Sequence, residues 1–385
     1  RIQEASAIAG VYSIQLLATD GGPRGEISAQ INAGNVDGSN VAFPGYATWL
    51  SGVGLDGSSV IVAHVDDGAD ETHPDLAARI LPCTGGTCAG WRGAHGTHTA
   101  GIIAGDGSSD TLDANGFNRG LGVAPGANLI RQIYAPVMAG MVDMLAPMAD
   151  SVNNGASVSN NSWGPSVVAH GYNIDTLLVD AGVRDADLDT PGSQPLIYVQ
   201  AINNGDGGTS TQGTPDDAKN IITVGSTYAV APGGDPDDRI NQLSENTAHG
   251  PALDGRVIPH LVAPGCSVDS TVPGQTEGEA VHGTRCGTSM AAPQVAGAVA
   301  LFIEHYRGLP EYEADPSPAL VKAALLPVAH DLDGNPDADG ATMGHRPDAK
   351  QGWGRLNLSA VVDPPAGSVL YFDQPTVLSF TGQEW

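Results

Sequence analysis

Three short segments of the sequence carry the residue types that acyl-transfer chemistry requires. Asp66 directly follows an apolar run at 60–65, and His95 and Ser289 each open a segment of small residues. In this chemistry a serine attacks the carbonyl carbon, a histidine takes and returns its proton, and a buried aspartate fixes the histidine tautomer. Taken singly, each residue could equally be a cap or a packed polar group. Their joint occurrence predicts a catalytic triad.

The residues around the serine suit the same chemistry. Gly287, Ala291 and Ala292 leave room for a peptide carbonyl to approach Ser289. If a helix begins here, its free backbone N–H groups and its positive dipole end stabilise the oxyanion that forms during attack.

Short apolar runs alternate with helical patterns over most of the chain. Strands are predicted at 60–65, 128–133, 157–162, 196–201 and 221–224. Helices are predicted at 97–104, 137–153, 173–181, 289–306 and 318–326. This alternation predicts an α/β fold with a mostly parallel, doubly wound sheet and helices on both faces. Ligands bind such sheets beyond the carboxyl ends of the strands, which is where Asp66 lies.

Composition excludes some classes of partner. The chain of 385 residues has 43 acidic and 16 basic side chains, a net charge of −27, so it would repel nucleic acid. No apolar run is long enough for a helix that spans a membrane. Nothing in the sequence indicates a redox or nucleotide cofactor.

The four cysteines allow more than one interpretation. Cys83 and Cys88 flank a tight Gly-Gly turn, while Cys266 and Cys286 lie twenty positions apart. Four cysteines permit three disulfide connectivities, and we expect pairing within each local couple, which favours an oxidising environment. A zinc site is the alternative, although none of the four belongs to a C-x2-C pair with matching histidines.

With these three blocks in the order Asp, His, Ser, the sequence resembles the subtilisin-like serine proteases, or subtilases. The resemblance covers roughly residues 45–360. Further blocks that carry it lie at 122–127, 161–164, 224–226, 262–265 and 351–357. Residues 254–256 and 352–354 look most like subtilases with a C-terminal β-barrel, and the Asp66 and Ser162 blocks also resemble kexin-like convertases.

The resemblance assigns roles to individual residues. It implies that Asp66, His95 and Ser289 form the triad. The oxyanion asparagine is assigned to Asn204, with Asn203 as the fallback, because the family's usual Gly-Asn pair reads Asn-Asn here. Family substrates bind as an added β-strand, and the matching segment is Ser162, Trp163 and Gly164.

Two calcium sites are considered, both structural. Asp75 matches a calcium-ligand position of the family, although the loop at 105–122 differs from the usual ligand-bearing insertion. A second set resembles a calcium loop but has Pro336 and Thr342 where an EF-hand needs Gly and Glu. This second set consists of Asp331, Asp333, Asn335, Asp337 and Asp339. The alternative is that these residues form a solvated acidic turn without a metal.

The ends of the chain differ from the α/β body. Residues 1–45 are expected to form an N-terminal extension, and 1–19 look like the remnant of a subtilase propeptide that aids folding and inhibits the enzyme. Residues 46–363 are expected to form the catalytic domain. Residues 364–385 have β-type alternation and could begin a further domain.

The sequence therefore predicts a secreted serine endopeptidase that cleaves proteins or peptides through an acyl-enzyme, with broad specificity. One alternative is a processing protease that cuts after basic residues, with Asp206, Asp216 or Asp217 placing negative charge in the primary pocket. Another is a catalytically silent subtilase-fold binding module.

Overall fold

The structure, a computed structural model, describes residues 26–134, 143–164, 169, 171–230, 238–310, 312 and 314–373. The predicted propeptide remnant at 1–19 lies outside these residues. So do the first part of the helix predicted at 137–153 and residues 374–385 of the tail.

A seven-stranded sheet forms the centre of the fold, and all its paired strands are parallel. Its strands are β1 (Ile61–Asp66), β2 (Ile80–Leu81), β3 (Asn128–Ile133), β4 (Val158–Asn161), β5 (Ile197–Ala201), β6 (Ile222–Tyr228) and β7 (Leu261–Cys266). Their order across the sheet is β2-β3-β1-β4-β5-β6-β7. Strands β8 (Val268–Val272) and β9 (Val281–Arg285) form a separate antiparallel hairpin. The predicted α/β fold with a mostly parallel sheet is confirmed.

Helices connect and cover the strands. They are α1 (Ile27–Asn32), α2 (Tyr46–Val53), α3 (Pro74–Ala77), α4 (Ala94–Ala104), α5 (Leu145–Asn153), α6 (Ile174–Arg184), α7 (Thr288–Arg307), α8 (Pro318–Leu325) and α9 (Leu358–Val362). None of the described helices is both long enough and apolar enough to cross a bilayer.

Helix α7 lies at the centre of the molecule and packs across β4, β5, β6 and β7. Its first four turns are rich in alanine and glycine, and nearly every residue there is buried. Small side chains allow close approach, as at Gly297, where a Cβ atom would lie 2.6 Å from the Cβ of Val123. The helix that carries Ser289 is therefore held firmly against the sheet.

Two strands of the main sheet were not predicted, the two-residue β2 and the longer β7. Strand β7 contains Pro264 and Gly265, which argue against a strand in the middle of a sheet. The structure accommodates them because β7 lies at the edge of the sheet, where proline need not donate to a second neighbouring strand.

The described parts of the two ends differ from each other. Helix α1, within the predicted N-terminal extension, is completely buried and packs on α7 and β7. Residues 364–373 contain turns but no strand, and Leu370 and Phe372 are exposed there.

Candidate active site

The parallel sheet brings the predicted site residues to one edge. Asp66 is the last residue of β1, Ser162 follows β4, and Asn204 lies just beyond β5. Since β1, β4 and β5 are neighbours in the sheet, their carboxyl ends lie side by side. The start of α7, with Ser289 as its second residue, lies at the same edge.

Asp66 and His95 are in direct polar contact at this edge. Oδ1 of Asp66 lies 2.7 Å from Nδ1 of His95. The other carboxylate oxygen accepts a hydrogen bond of 2.9 Å from the Thr99 hydroxyl. Asp66 is completely buried, whereas the His95 side chain is one-third exposed. The imidazole thus has one nitrogen fixed by the aspartate.

The pKa values of this pair move in the directions that catalysis requires. Burial acts to raise the pKa of Asp66, but the hydrogen bond and charge of His95 outweigh burial, and the pKa is lowered. Burial acts to lower the pKa of His95, while its hydrogen bond to Asp66 and the charges of Asp66 and Asp67 raise it above the ordinary value. Asp66 is therefore an anion next to a histidine of enhanced basicity.

The neighbouring aspartate positions the histidine through the backbone. The carboxylate of Asp67 accepts hydrogen bonds from the N–H groups of Gly96, at 2.6 Å, and of His95, at 3.4 Å. It thereby stabilises the start of α4, whose first N–H groups have no partner inside the helix. Gly96 allows the close approach, because a Cβ there would lie 1.9 Å from the carbonyl oxygen of Gly68.

A proline fixes the serine to the neighbouring segment. Pro293 lies four residues after Ser289 and has no N–H, so the Ser289 carbonyl loses its usual helical donor. The Ser162 hydroxyl donates to that carbonyl instead, at 2.9 Å. In return, the Ser289 hydroxyl donates to the carbonyl of Ser162 at 3.0 Å.

The side-chain amide of Asn204 has a defined orientation. Its Oδ1 accepts hydrogen bonds from the Thr288 N–H at 3.0 Å, the Thr288 hydroxyl at 3.1 Å and Nδ2 of Asn246 at 2.9 Å. With all three donors on the oxygen, the NH2 group is left to donate to a ligand. The Ser289 N–H, in the first turn of α7, has no acceptor inside the helix. These two donors could form an oxyanion hole.

A cavity of about 110 Å³, here called the primary pocket, adjoins the serine. It is lined by Ser162, Trp163, Gly164, Ala201, Ile202, Asn203, Asn204, Gly213, Asp216, Thr288 and Ser289. The structure therefore brings the predicted substrate-binding segment, the asparagine and the serine to one cavity.

Comparison with known proteins identifies the family. Residues 57–354 match the subtilase family. The chain is 31% identical to subtilisin E of Bacillus subtilis (strain 168) over 269 residues, which are 67% of this chain and 58% of that protein. It is 34% identical to subtilisin Savinase of Lederbergia lenta over 255 residues, 64% of this chain and 77% of that protein.

The chain belongs to the subtilase family. It spans less than two thirds of the length of subtilisin E. Among solved structures, fervidolysin of Fervidobacterium pennivorans, a keratinolytic enzyme related to subtilisin, aligns with a TM-score of 0.59 and 24% identity, over 89% of this chain and 48% of that one. The prenylagaramide maturation protease PagA aligns with a TM-score of 0.54 and 22% identity, over 79% and 93%. These two likenesses support the fold.

Both disulfides predicted for this subtilase are present. Cys83 is bonded to Cys88, and Cys266 to Cys286, so no cysteine is free. The alternative of a zinc site on these cysteines is therefore wrong. The second bridge joins the end of β7 to the segment just before α7.

Of the two predicted calcium sites, the one at Asp75 does not fit that ion. Its Oδ1 accepts from the Ser109 N–H at 2.6 Å, and its Oδ2 accepts from Nε2 of His282 at 2.7 Å. The side chains that converge here are His73, Asp75 and His282. Calcium takes six to eight oxygen ligands, whereas two of these three groups offer nitrogen. A Cβ at Gly120 would lie 2.1 Å from Asp75 Oδ2, so the surroundings are closely packed.

The residues of the second predicted calcium site contact different partners. Nζ of Lys350 lies 2.9 Å from Asp337 and 3.6 Å from Asp339, where a metal cation would otherwise be held. Asp331 pairs with His345 instead. A single calcium loop is therefore not formed by the five predicted ligands Asp331, Asp333, Asn335, Asp337 and Asp339. His249 converges with Asp337 and Asp339, but Lys350 contacts all three side chains and would compete with a metal ion there.

Several site residues were missed by the sequence analysis. Thr99 lies four residues after His95, on the same face of α4, and this spacing could have indicated it. Asn246, which bonds to Asn204, is distant in sequence and had no local signal. Asp67 directly follows Asp66 in the sequence, and its role as a cap of α4 was not predicted.

Proposed function

We propose that this subtilase is a serine endopeptidase that hydrolyses peptide bonds of proteins through an acyl-enzyme. The observation that carries the proposal is the 2.7 Å contact between Asp66 and His95, at the sheet edge where Ser289 lies in the first turn of α7. Family membership supports the same assignment.

In the proposed reaction, the Ser289 hydroxyl leaves the Ser162 carbonyl and attacks the scissile carbonyl carbon, while Nε2 of His95 takes its proton. Asp66 holds the opposite nitrogen and stabilises the imidazolium. The Asn204 amide and the Ser289 N–H donate to the oxyanion. His95 then gives the proton to the leaving amine, and the acyl-enzyme is hydrolysed by water that His95 activates.

The substrate backbone would lie beside Ser162, Trp163 and Gly164 as an added strand, which is a common way to bind extended peptides. We also propose an extracellular location, which the two disulfides favour because cytosolic thiols are kept reduced. The role of residues 1–19 as an inhibitory propeptide stays a prediction from sequence.

The test is hydrolysis of casein and labelling by a fluorophosphonate, for the parent chain and for Ser289→Ala. The parent should cleave and be labelled, and the variant should lose about 10⁴-fold or more of the activity. Ser58→Ala is the matched control, because Ser58 is exposed and lies before β1, at the opposite edge of the sheet. A parent chain that neither cleaves nor is labelled would favour the silent binding module.

A further inference from the structure

The primary pocket contains a buried carboxylate that the peptidase mechanism does not use. Asp216 lines the cavity together with Ser289 and Asn204, and only 1% of its surface is exposed. Of the three acids that the sequence offered for the pocket, only Asp216 lines it among the described residues. Asp206 is exposed, and Asp217 is buried but does not line the cavity.

Neighbouring residues donate to one oxygen of this carboxylate, and the backbone N–H of Asp216 itself also interacts with the carboxylate. Oδ2 of Asp216 accepts hydrogen bonds from the N–H groups of Gly213, at 2.7 Å, and Asn203, at 3.0 Å. Within the described residues, no neighbouring residue donates to Oδ1, and no lysine, arginine or histidine pairs with the side chain. A carboxylate without a cationic partner is costly to bury, so its presence in a binding cavity calls for a ligand that supplies the charge.

We propose that Asp216 makes the enzyme prefer substrates with lysine or arginine immediately before the scissile bond. The cationic side chain would enter the primary pocket and donate to Oδ1, the oxygen to which no other described residue donates. This inference rests on the proposed peptidase function and narrows its substrate class from broad specificity to cleavage after basic residues.

The ionisation of Asp216 makes the preference for basic substrates depend on pH. Burial, with a smaller contribution from the nearby Asp217 carboxylate, outweighs the backbone hydrogen bonds and raises the pKa of Asp216 to about 7. The Tyr198 phenol on β5 also interacts with Asp216, and burial keeps the pKa of that phenol so high that it stays neutral. Below pH 7, a cationic substrate must therefore first displace a proton from Asp216.

The first experiment measures kcat/KM for matched peptides that differ only in the residue before the cut: Arg, Lys, Leu, Phe or Glu. At pH 8.5 the parent should cleave the Arg and Lys peptides best. Asp216→Asn should lower the ratio of Arg to Leu cleavage by about 30-fold or more, as expected for loss of a buried charged contact. Asp217→Asn is the matched control, because it removes the adjacent buried carboxylate, which does not line the cavity, and its ratio at pH 8.5 should change far less than that of Asp216→Asn.

The same ratio should rise between pH 6 and pH 8 in the parent and stay flat in Asp216→Asn. Protonation of His95 affects both substrates equally and cancels in the ratio. A merely structural role for Asp216, in which it only holds the Asn203 and Gly213 N–H groups, would lower cleavage of every peptide together. That result, or a parent that prefers Leu or Phe to Arg, would overturn the proposal.

A binding measurement separates this proposal from the peptidase function. Benzamidine, a small amidinium, should bind the inactive Ser289→Ala chain and raise its melting temperature, whereas neutral benzamide should not. The double variant Ser289→Ala/Asp216→Asn should lose this response. No benzamidine binding together with efficient cleavage of Leu peptides would refute the basic preference alone, while absence of cleavage and of fluorophosphonate labelling would refute the peptidase function.

Discussion

Asp66 and Asp216 are both buried aspartates at the carboxyl edge of one sheet, yet their surroundings change their pKa values in opposite directions. For both, burial is the largest effect and raises the pKa. At Asp66 the hydrogen bond and charge of His95 overcome burial, and the pKa falls. At Asp216 only backbone N–H groups oppose burial, and the pKa rises to about 7.

The difference shows that a charged partner, more than depth, decides the ionisation of a buried acid. Asp66 already has its partner in the protein and can serve as a permanent anion in the triad. Asp216 has none among the described residues and is suited to receive one from a ligand. In the proposed function, two residues of one type thus serve chemistry in one case and recognition in the other.

The largest loss of activity is expected from a substitution of Asp66, the aspartate that has a charged partner in the protein. Asp66→Asn should lower kcat by about 10⁴, because an amide cannot hold the required tautomer of His95 or stabilise its cation. The measurement is kcat for a Leu peptide at pH 8.5. Asp216→Asn is the internal control, since it changes a buried aspartate to the same amide at the same edge. It should leave turnover of the Leu peptide within a few-fold, and an equal loss in both variants would contradict the assignment.

The pH profile of Leu-peptide cleavage tests the same pair through the basicity of His95. His95 must be neutral to take the Ser289 proton, so kcat/KM should rise with pH through the pKa of His95. Because Asp66 and Asp67 raise that pKa, the midpoint should lie above the ordinary 6.5. In Asp66→Asn the residual activity should have its midpoint at lower pH. A midpoint that does not move would mean that Asp66 does not control the basicity of His95.

Much of this edge could be predicted from sequence, because the triad blocks follow strands or begin helices. Asp66, His95 and Ser289 each lie next to a local pattern that fixes their place in a parallel sheet. The state of Asp216 could not be predicted, since it depends on backbone groups of residues 203 and 213 and on the absence of a cation nearby. Similarly, β7 was missed because its tolerance of Pro264 depends on its position at the sheet edge.

Asn204 lines the primary pocket together with Asp216 and gives the next largest effect. Asn204→Ala should lower kcat by about 10²–10³, the usual cost of removing one oxyanion donor, with little change in KM. The donor acts mainly on the transition state, so binding of the substrate is little affected. The measurement is kcat and KM for the Leu peptide. A change confined to KM would place Asn204 in substrate binding instead, and Asn203→Ala tests the neighbouring asparagine for the same role.

The smallest effect concerns the orientation of that amide. Asn246 donates to Oδ1 of Asn204 and, with Thr288, directs the NH2 group outward. Asn246→Ala removes one of three donors, so kcat should fall by only about fivefold, equivalent to one ordinary hydrogen bond. In the Asn204→Ala background the same change should have no effect, because there is no amide left to orient. A full fivefold loss in that background would show that Asn246 acts by another route.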